Sequence, residues 1–287
     1  MIYVSSSCLK NDLIKQSVKQ LALEGYKNIE LSGGTNFYDG YVEDLLSLKE
    51  KYDLNYLVHN YFPPHKEPFM LNISSLDDGL YRKSIKHCLE AVELCKILGS
   101  KKYGVHAGFL IDFSPAEAGK KISLRKLNDR KIAIERLSEA WKIIKDTAGN
   151  DVDLYIENNV YSKTNFDTYK GNNPFLLTDH DSYLEMLGKV SFHVLLDLAH
   201  LKVSCNTLNL NFLHQSNQLI KETDYLHVSG NDSLSDQNLG IVDDDNVVNF
   251  LKDIDLSNKT LTLEVYNGLE SIGSSYNILK EFQNNKK

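Results

Sequence analysis

Short apolar runs rich in β-branched and aromatic residues punctuate the chain: IYVS (2–5), NIEL (28–31), YLVH (56–59), YGVH (103–106), DLYIE (153–157), HVLLD (193–197), YLHVS (225–229) and LTLEV (261–265). Each is too short for a helix, so each is read as a strand. The stretches between them carry helical spacing. Residues 11–25, 81–100 and 130–149 place apolar residues three and four apart and have glycines near their ends, Gly25, Gly99 and Gly149, suited to a C-cap. Further helices are expected at 180–187, 211–222, 246–253 and 272–284. The strands are nearly continuous apolar runs, as expected where both faces are covered, and strict alternation with helices implies a parallel sheet. The pattern predicts an α/β protein, a single (β/α)8 TIM barrel domain over residues 1–287. An open doubly wound sheet would place a glycine-rich turn after its first strand, and VSSSCLKND has none.

Chemistry is concentrated at the strand ends. His59 closes the third run, His106 the fourth, Glu157 the fifth and Asp197 the sixth, with His200 just beyond; His227 lies in the seventh and Glu264 in the eighth. In a TIM barrel these C-terminal ends converge on the mouth. One strand-end histidine is ordinarily structural, and one carboxylate there often only caps a helix. Several carboxylates converging without compensation repel one another, and a divalent cation removes that conflict. Histidine with carboxylate, without thiolate, suits zinc or manganese. His65, His87, His180, His193 and His214 have no comparable position and read as surface or helix residues.

Composition narrows the partners. The net charge of −7 argues against nucleic acid as the ligand. The four cysteines form no C-x-x-C pair and read as free thiols, Cys88 and Cys95 as small core residues. The N-terminus does not have the pattern of a signal peptide, and no apolar run approaches the roughly 20 residues of a membrane span. The expected setting is cytoplasmic; the number of subunits is left open, a homo-oligomer included.

In the order and spacing of its strand motifs the chain resembles the xylose isomerase-like TIM barrels, a superfamily of sugar and sugar-phosphate isomerases and epimerases that includes endonuclease IV. GYKNIELSGG (25–34), YLVHNYFPPHKEPFMLNISSLD (56–77), CKILGSKKYGVHAGF (95–109), LYIENN (154–159), LLDLAH (195–200), LHVSGNDS (226–233) and LTLEVYNG (261–268) carry the likeness over nearly the whole chain. The resemblance implies one metal on Glu157, Asp197, His227 and Glu264, with Glu157 and Glu264 also acting as acid and base. Its endonuclease branch implies a second metal on His59 and His106, sharing Glu157. A third metal there uses the counterpart of His200 with an Asp-x-His pair; the loop 230–240 contains no histidine, and Asp232 or Asp236 is left as a partial replacement.

Glu157, Asp197 and Glu264 supply −3, so one divalent ion leaves −1, which favours a neutral sugar, and two leave +1, which would accept a phosphate. Arg125, Lys163 and Lys202 are the cations considered for a phosphate clamp. The long loops 107–129 and 158–179 are read as a lid over the mouth. The expected function is a divalent-metal-dependent isomerase or epimerase of a sugar or sugar phosphate, moving a proton through an enediolate between Glu157 and Glu264 while His200 and Asn158 hold hydroxyls. The alternatives are an endonuclease IV-like phosphodiester hydrolase, a lyase or dehydratase on a cyclic polyol, and a non-catalytic metal-binding barrel. Nicking of abasic DNA marks the hydrolase, and deuterium wash-in at a sugar carbon marks the isomerase.

Overall fold

The computed structural model of the chain describes residues 1–243 and 245–284. Eight parallel strands, β1 (Ile2–Ser5), β2 (Asn28–Leu31), β3 (Asn55–His59), β4 (Lys102–His106), β5 (Asp153–Glu157), β6 (His193–Asp197), β7 (Tyr225–Val228) and β8 (Thr260–Leu263), pair in sequence order, and β8 returns to β1 to close the barrel. The helices around it are α1 (Ile14–Leu23), α2 (Tyr41–Tyr52), α3 (Asp78–Leu98), α4 (Arg130–Ala148), α5 (Lys163–Thr168), α6 (His180–Leu187), α7 (Leu198–Leu208), α8 (Phe212–Leu219), α9 (Asn246–Asp253) and α10 (Leu269–Asn284). Every expected strand is present within one or two residues. Three helices, α2, α5 and α7, are not anticipated by the sequence pattern. Among the described residues no helix is long and apolar enough to cross a membrane.

Strand alternation sorts the side chains. Ile29, Val58, Val105, Ile156, Leu196 and Leu226 are buried in the main core with residues of the surrounding helices, such as Val18, Val92 and Leu137. The opposite parity points into the barrel, where Tyr3, Leu57, Tyr155, Leu195 and Tyr225 form a separate buried cluster. The inward residues two positions further along β3, β5, β6 and β7 are His59, Glu157, Asp197 and His227. The apolar cluster is therefore a floor beneath the polar ring. Gly104 makes room in that floor: a Cβ there would stand 2.6 Å from Leu195 Cδ2 and 3.2 Å from His59 Cδ2.

The loops after β4 and β5 pack on each other rather than standing in solvent. Phe109 and Phe175 form an isolated antiparallel bridge between them. Met70, Phe109, Ile111, Ile122, Tyr161, Tyr169 and Phe175 make a second apolar cluster over that side of the mouth. The cap of α3 extends it earlier than the spacing suggests, because the Asp77 side chain accepts from the Leu80 amide. All four cysteines are free and buried, including Cys88 and Cys95 in the core.

Candidate metal centre

Asp197 shows how the ring is built. It ends β6 and is also the N-cap of α7, with no loop between them; its Oδ1 accepts from the His200 amide at 2.7 Å. The other oxygen, Oδ2, is buried without a hydrogen-bond partner. Asn158 holds this turn, accepting from the Asp197 amide at 2.8 Å and donating to its carbonyl at 3.0 Å. The Asn158 side chain is thus tied to the Asp197 backbone through one N–H and its oxygen.

Glu157 lies at the centre and is fully buried. Its Oε2 accepts from His59 Nε2 at 2.7 Å and lies 3.4 Å from His106 Nδ1. Its Oε1 lies 3.3 Å from His227 Nδ1 and 3.7 Å from His200 Nδ1. Each oxygen therefore faces a different set of imidazoles. Glu264, one residue past β8, brings Oε2 to 3.6 Å from His227 Nδ1. His200 donates from Nδ1 to the Asn158 carbonyl at 2.9 Å and from Nε2 to Asp236 Oδ2 at 3.3 Å. Asp236 is the member of the 230–240 loop that reaches the site. Asp232 instead accepts from the amides of Leu234 and Ser235 in its own loop.

One buried carboxylate lies outside the set read from the sequence. Glu30, on β2, is wholly inside the barrel. Its Oε2 accepts from the Tyr225 hydroxyl, from Thr262 Oγ1 at 3.0 Å and from His227 Nε2 at 3.1 Å. It makes the buried carboxylates four with Glu157, Asp197 and Glu264, so the charge count of −3 becomes −4. One divalent ion then leaves −2, and two leave zero. The signal in the sequence was a charged residue between Ile29 and Leu31 in a short apolar strand; its inward direction emerges only from strand parity.

The electrostatics follow from burial and partners. Burial alone would raise the Glu157 carboxyl, but the His106, His59 and His227 rings hold it well below the usual carboxylate range. Asp197, more buried than compensated, is pushed up to about 7. Burial pulls His106 down to about 4. Burial also opposes charge on His200 and His227, yet Asp197 and Asp236 raise the first well above its ordinary value, and Glu30, Glu264 and Glu157 raise the second. Both ring nitrogens of His200 bond to acceptors, the geometry of an imidazolium, whereas His227 bonds to an acceptor through Nε2 alone.

The fit to a metal ion rests on atoms otherwise left without partners. Glu157 Oε1, Asp197 Oδ2 and His227 Nδ1 are buried and have no hydrogen-bond partner. One potential ligand atom from each of these residues lies within 4.8 Å of the others, a group of three able to hold a metal ion. His106, Glu157 and His200 form another such group, and Glu30, His59, His227 and Glu264 a third. Buried polar atoms are normally satisfied, so this set of nitrogen and carboxylate donors fits a divalent cation.

The cations considered for a phosphate clamp are engaged elsewhere. Arg125 pairs with Glu117 Oε2 at 2.7 Å, Lys163 with Asp167 at 2.8 Å, and Lys202, buried, with Asp245 at 2.8 Å. Beside the ring lies a cavity of about 270 Å³, lined by His106, His200, Asp236, Tyr61, Phe109 and Phe175 among others. His193 is exposed at the start of β6, at the far end of the barrel. His87 is buried on α3, donating from Nε2 to the Asn60 carbonyl at 2.7 Å, with His65 Nε2 2.6 Å from its Nδ1.

The sequence matches the family described as xylose isomerase-like TIM barrel over residues 18–282. The chain belongs to this family. Solved structures agree in fold. A D-tagatose 3-epimerase-like protein superposes with a TM-score of 0.73 at 17% identity, covering 99% of this chain and 98% of that one. The 3-keto-D-glucoside 4-epimerase of E. coli gives 0.66 at 11%, covering 98% of each chain. Endonuclease IV of Thermus thermophilus gives 0.60 at 16%, again with 98% of each covered. At these identities the likeness concerns the fold alone. No protein of curated function matches the sequence.

Proposed function

We propose that this member of the xylose isomerase-like family is a divalent-metal-dependent isomerase or epimerase of a small, uncharged sugar, transferring a proton at a carbon beside a carbonyl. The observation that carries the reading is the convergence of unpartnered buried atoms of Glu157, Asp197 and His227 below Glu264 at the barrel mouth. Glu157, Asp197, His227 and Glu264 would hold one ion, zinc or manganese by donor type. His59 and His106, facing the other oxygen of Glu157, would hold a second. A bound ion would supply Lewis acidity, drawing electron density from a sugar carbonyl and making the adjacent C–H more acidic.

The remaining work falls to side chains. Glu264, at the edge of the ring and 7% exposed, is assigned both the removal of a proton from a sugar carbon and its return to the neighbouring carbon, while Glu157, fully buried and ionised among four imidazoles, is assigned to holding the ion. His200 and Asp236 line the cavity as polar contacts for hydroxyls. Asn158 is assigned to positioning, through its two bonds to Asp197. The aromatic wall of Phe109 and Phe175 from the two packed loops supplies an apolar face that excludes water from the reacting carbon. The cavity lies below the roughly 300–1,000 Å³ of drug-sized ligand sites, which favours one sugar ring. Arg125, Lys163 and Lys202 are paired with carboxylates, while Lys120 and Lys121 line the cavity, so the preference for an uncharged sugar rests on the charge count of the ring.

The phosphodiester-hydrolase reading has one observation in its favour: Glu157 offers separate oxygens to two histidine sets, an arrangement suited to two adjacent ions. Against it stand the acidic chain and a 230–240 loop whose Asp236 is its one carboxylate on His200. A panel of ketoses and aldoses, assayed with metal alongside a duplex containing an abasic site, separates the two. Sugar interconversion without incision supports the proposal. Incision without sugar turnover replaces it with the hydrolase.

A further inference from the structure

We propose that Glu30 is a positioning residue of the metal centre, holding the His227 ring so that Nε2 keeps its proton and Nδ1 faces the ligand ring. The inference rests on the metal-centre reading above.

An imidazole has two nitrogens, and which one is available to a metal is set by the hydrogen bond the other makes. His227 makes that choice inside the barrel. Its Nε2 lies 3.1 Å from Glu30 Oε2, on the floor side. Its Nδ1 lies 3.3 Å from Glu157 and 3.6 Å from Glu264, and has no hydrogen-bond partner. A carboxylate accepts and never donates when ionised, so it fixes Nε2 as the protonated nitrogen and leaves the Nδ1 lone pair for the site. A neutral acceptor such as a glutamine side chain would also offer an amide N–H to the same place and would tolerate the opposite tautomer.

Glu30 is in turn held in place. Tyr225 and Thr262 donate to the same oxygen that receives His227, and both come from the strands that carry or adjoin that histidine. An ionised carboxylate buried at this depth is costly unless paired. If Glu30 served only to satisfy two hydroxyls, an apolar residue at 30 with Phe at 225 and Val at 262 would fill the same space at lower cost. The carboxylate makes sense if its charge acts on His227. Its free oxygen, Oε1, also lies 3.9 Å from His59 Nδ1. Glu30 therefore lies between a histidine of each set, bonded to one and within electrostatic range of the other.

The test uses the full chain loaded with Zn²⁺. Metal affinity is measured by chelator competition for the wild type and for Glu30→Gln, Tyr225→Phe and Thr262→Val, with circular dichroism to check folding. Carboxylates behind metal-bound histidines typically account for about 10- to 100-fold in affinity, and that is the loss expected for Glu30→Gln. The other two variants remove a hydroxyl from the same oxygen but keep its charge, and their affinities should stay near wild type. Independently of any variant, ¹⁵N-histidine NMR of the loaded wild type should show His227 protonated on Nε2 with metal on Nδ1. Glu30→Gln binding Zn²⁺ as tightly as wild type overturns the inference, and so does metal found on His227 Nε2. If Glu30→Gln does not fold, the NMR assignment decides alone. A wild type that takes up no metal brings down the metal-centre reading itself, a result distinct from equal affinity in wild type and variant.

Discussion

Glu157→Gln and Glu264→Gln are the same chemical change at two ligand positions, and the geometry predicts that they differ. Glu157 is fully buried and faces four imidazoles at 2.7 to 3.7 Å. One unit charge at about 4 Å from another, in an effective dielectric near 20, is worth about 4 kcal/mol. Half to all of that, lost from a site whose cations would sit among these groups, is roughly 30- to 700-fold in Kd. Glu264 has one close partner in the ring, His227 at 3.6 Å, and sits at its edge. Its amide oxygen remains a ligand in the Gln variant. A loss near that of one charge-assisted hydrogen bond, about 1.5 kcal/mol, gives roughly tenfold. Turnover should show the reverse emphasis. At saturating metal, Glu264→Gln should lose about 10²–10⁴-fold, the usual contribution of a general base. Metal affinity by chelator competition, followed by kcat at saturating Zn²⁺ or Mn²⁺, checks both. His193→Gln, at the exposed far end, should change neither. Equal metal loss in the two Gln variants would refute Glu157 as the electrostatic centre, and a metal-loaded Glu264→Gln near wild-type rate would refute its acid–base role.

Three further outcomes follow. Protein purified without chelator should carry at least one zinc or manganese ion per chain by elemental analysis, and a chain that also refuses added metal would remove the site. Metal affinity should rise with pH: His227 and His200 are held well above their ordinary value, and Asp197 near 7, so the metal-free ring carries protons at neutral pH that ligation must displace. Calorimetry in buffers of different ionisation enthalpy should therefore show proton release, and binding that is proton-neutral and flat across about pH 6–8 would contradict it. A duplex with an abasic site should not be incised by the metal-loaded protein; efficient incision would promote the hydrolase reading.

The strands were readable because each is apolar on both faces and short, so the run itself marks the element. Of the helices, α2, α5 and α7 were not. YVEDLLSLKEKY buries only Leu45 among its residues and starts from Gly40 without a side-chain cap, so its periodicity is weak. KTNFDT is a short polar turn of helix inside the loop after β5, buried at Asn165 alone, so no apolar stripe marks it. LAHLKVSCNTL is buried at eight consecutive positions and follows Asp197 directly, and it therefore resembles a continuing strand. The ring of His59, His106, Glu157, Asp197, His227 and Glu264 was legible from strand ends alone. Glu30 was not, because it lies before the end of its strand and at the level of the floor, paired in register with Leu57. Asn158 was read as a substrate contact from its place after Glu157; that its amide is held by the Asp197 backbone depends on β5 and β6 being neighbours. The choice of Asp236 over Asp232 likewise depended on the fold of one loop.

Solvent-deuterium exchange tests the central claim most directly. Metal-loaded protein is incubated in D₂O with a panel of unphosphorylated ketoses and aldoses, and deuterium at the carbons beside the carbonyl is followed by NMR. The account predicts incorporation into at least one sugar, lost on chelation and lost in Glu264→Gln with metal still bound. Interconversion of a sugar with no deuterium entering from solvent, or a metal-loaded protein that exchanges no sugar proton at all, would contradict it.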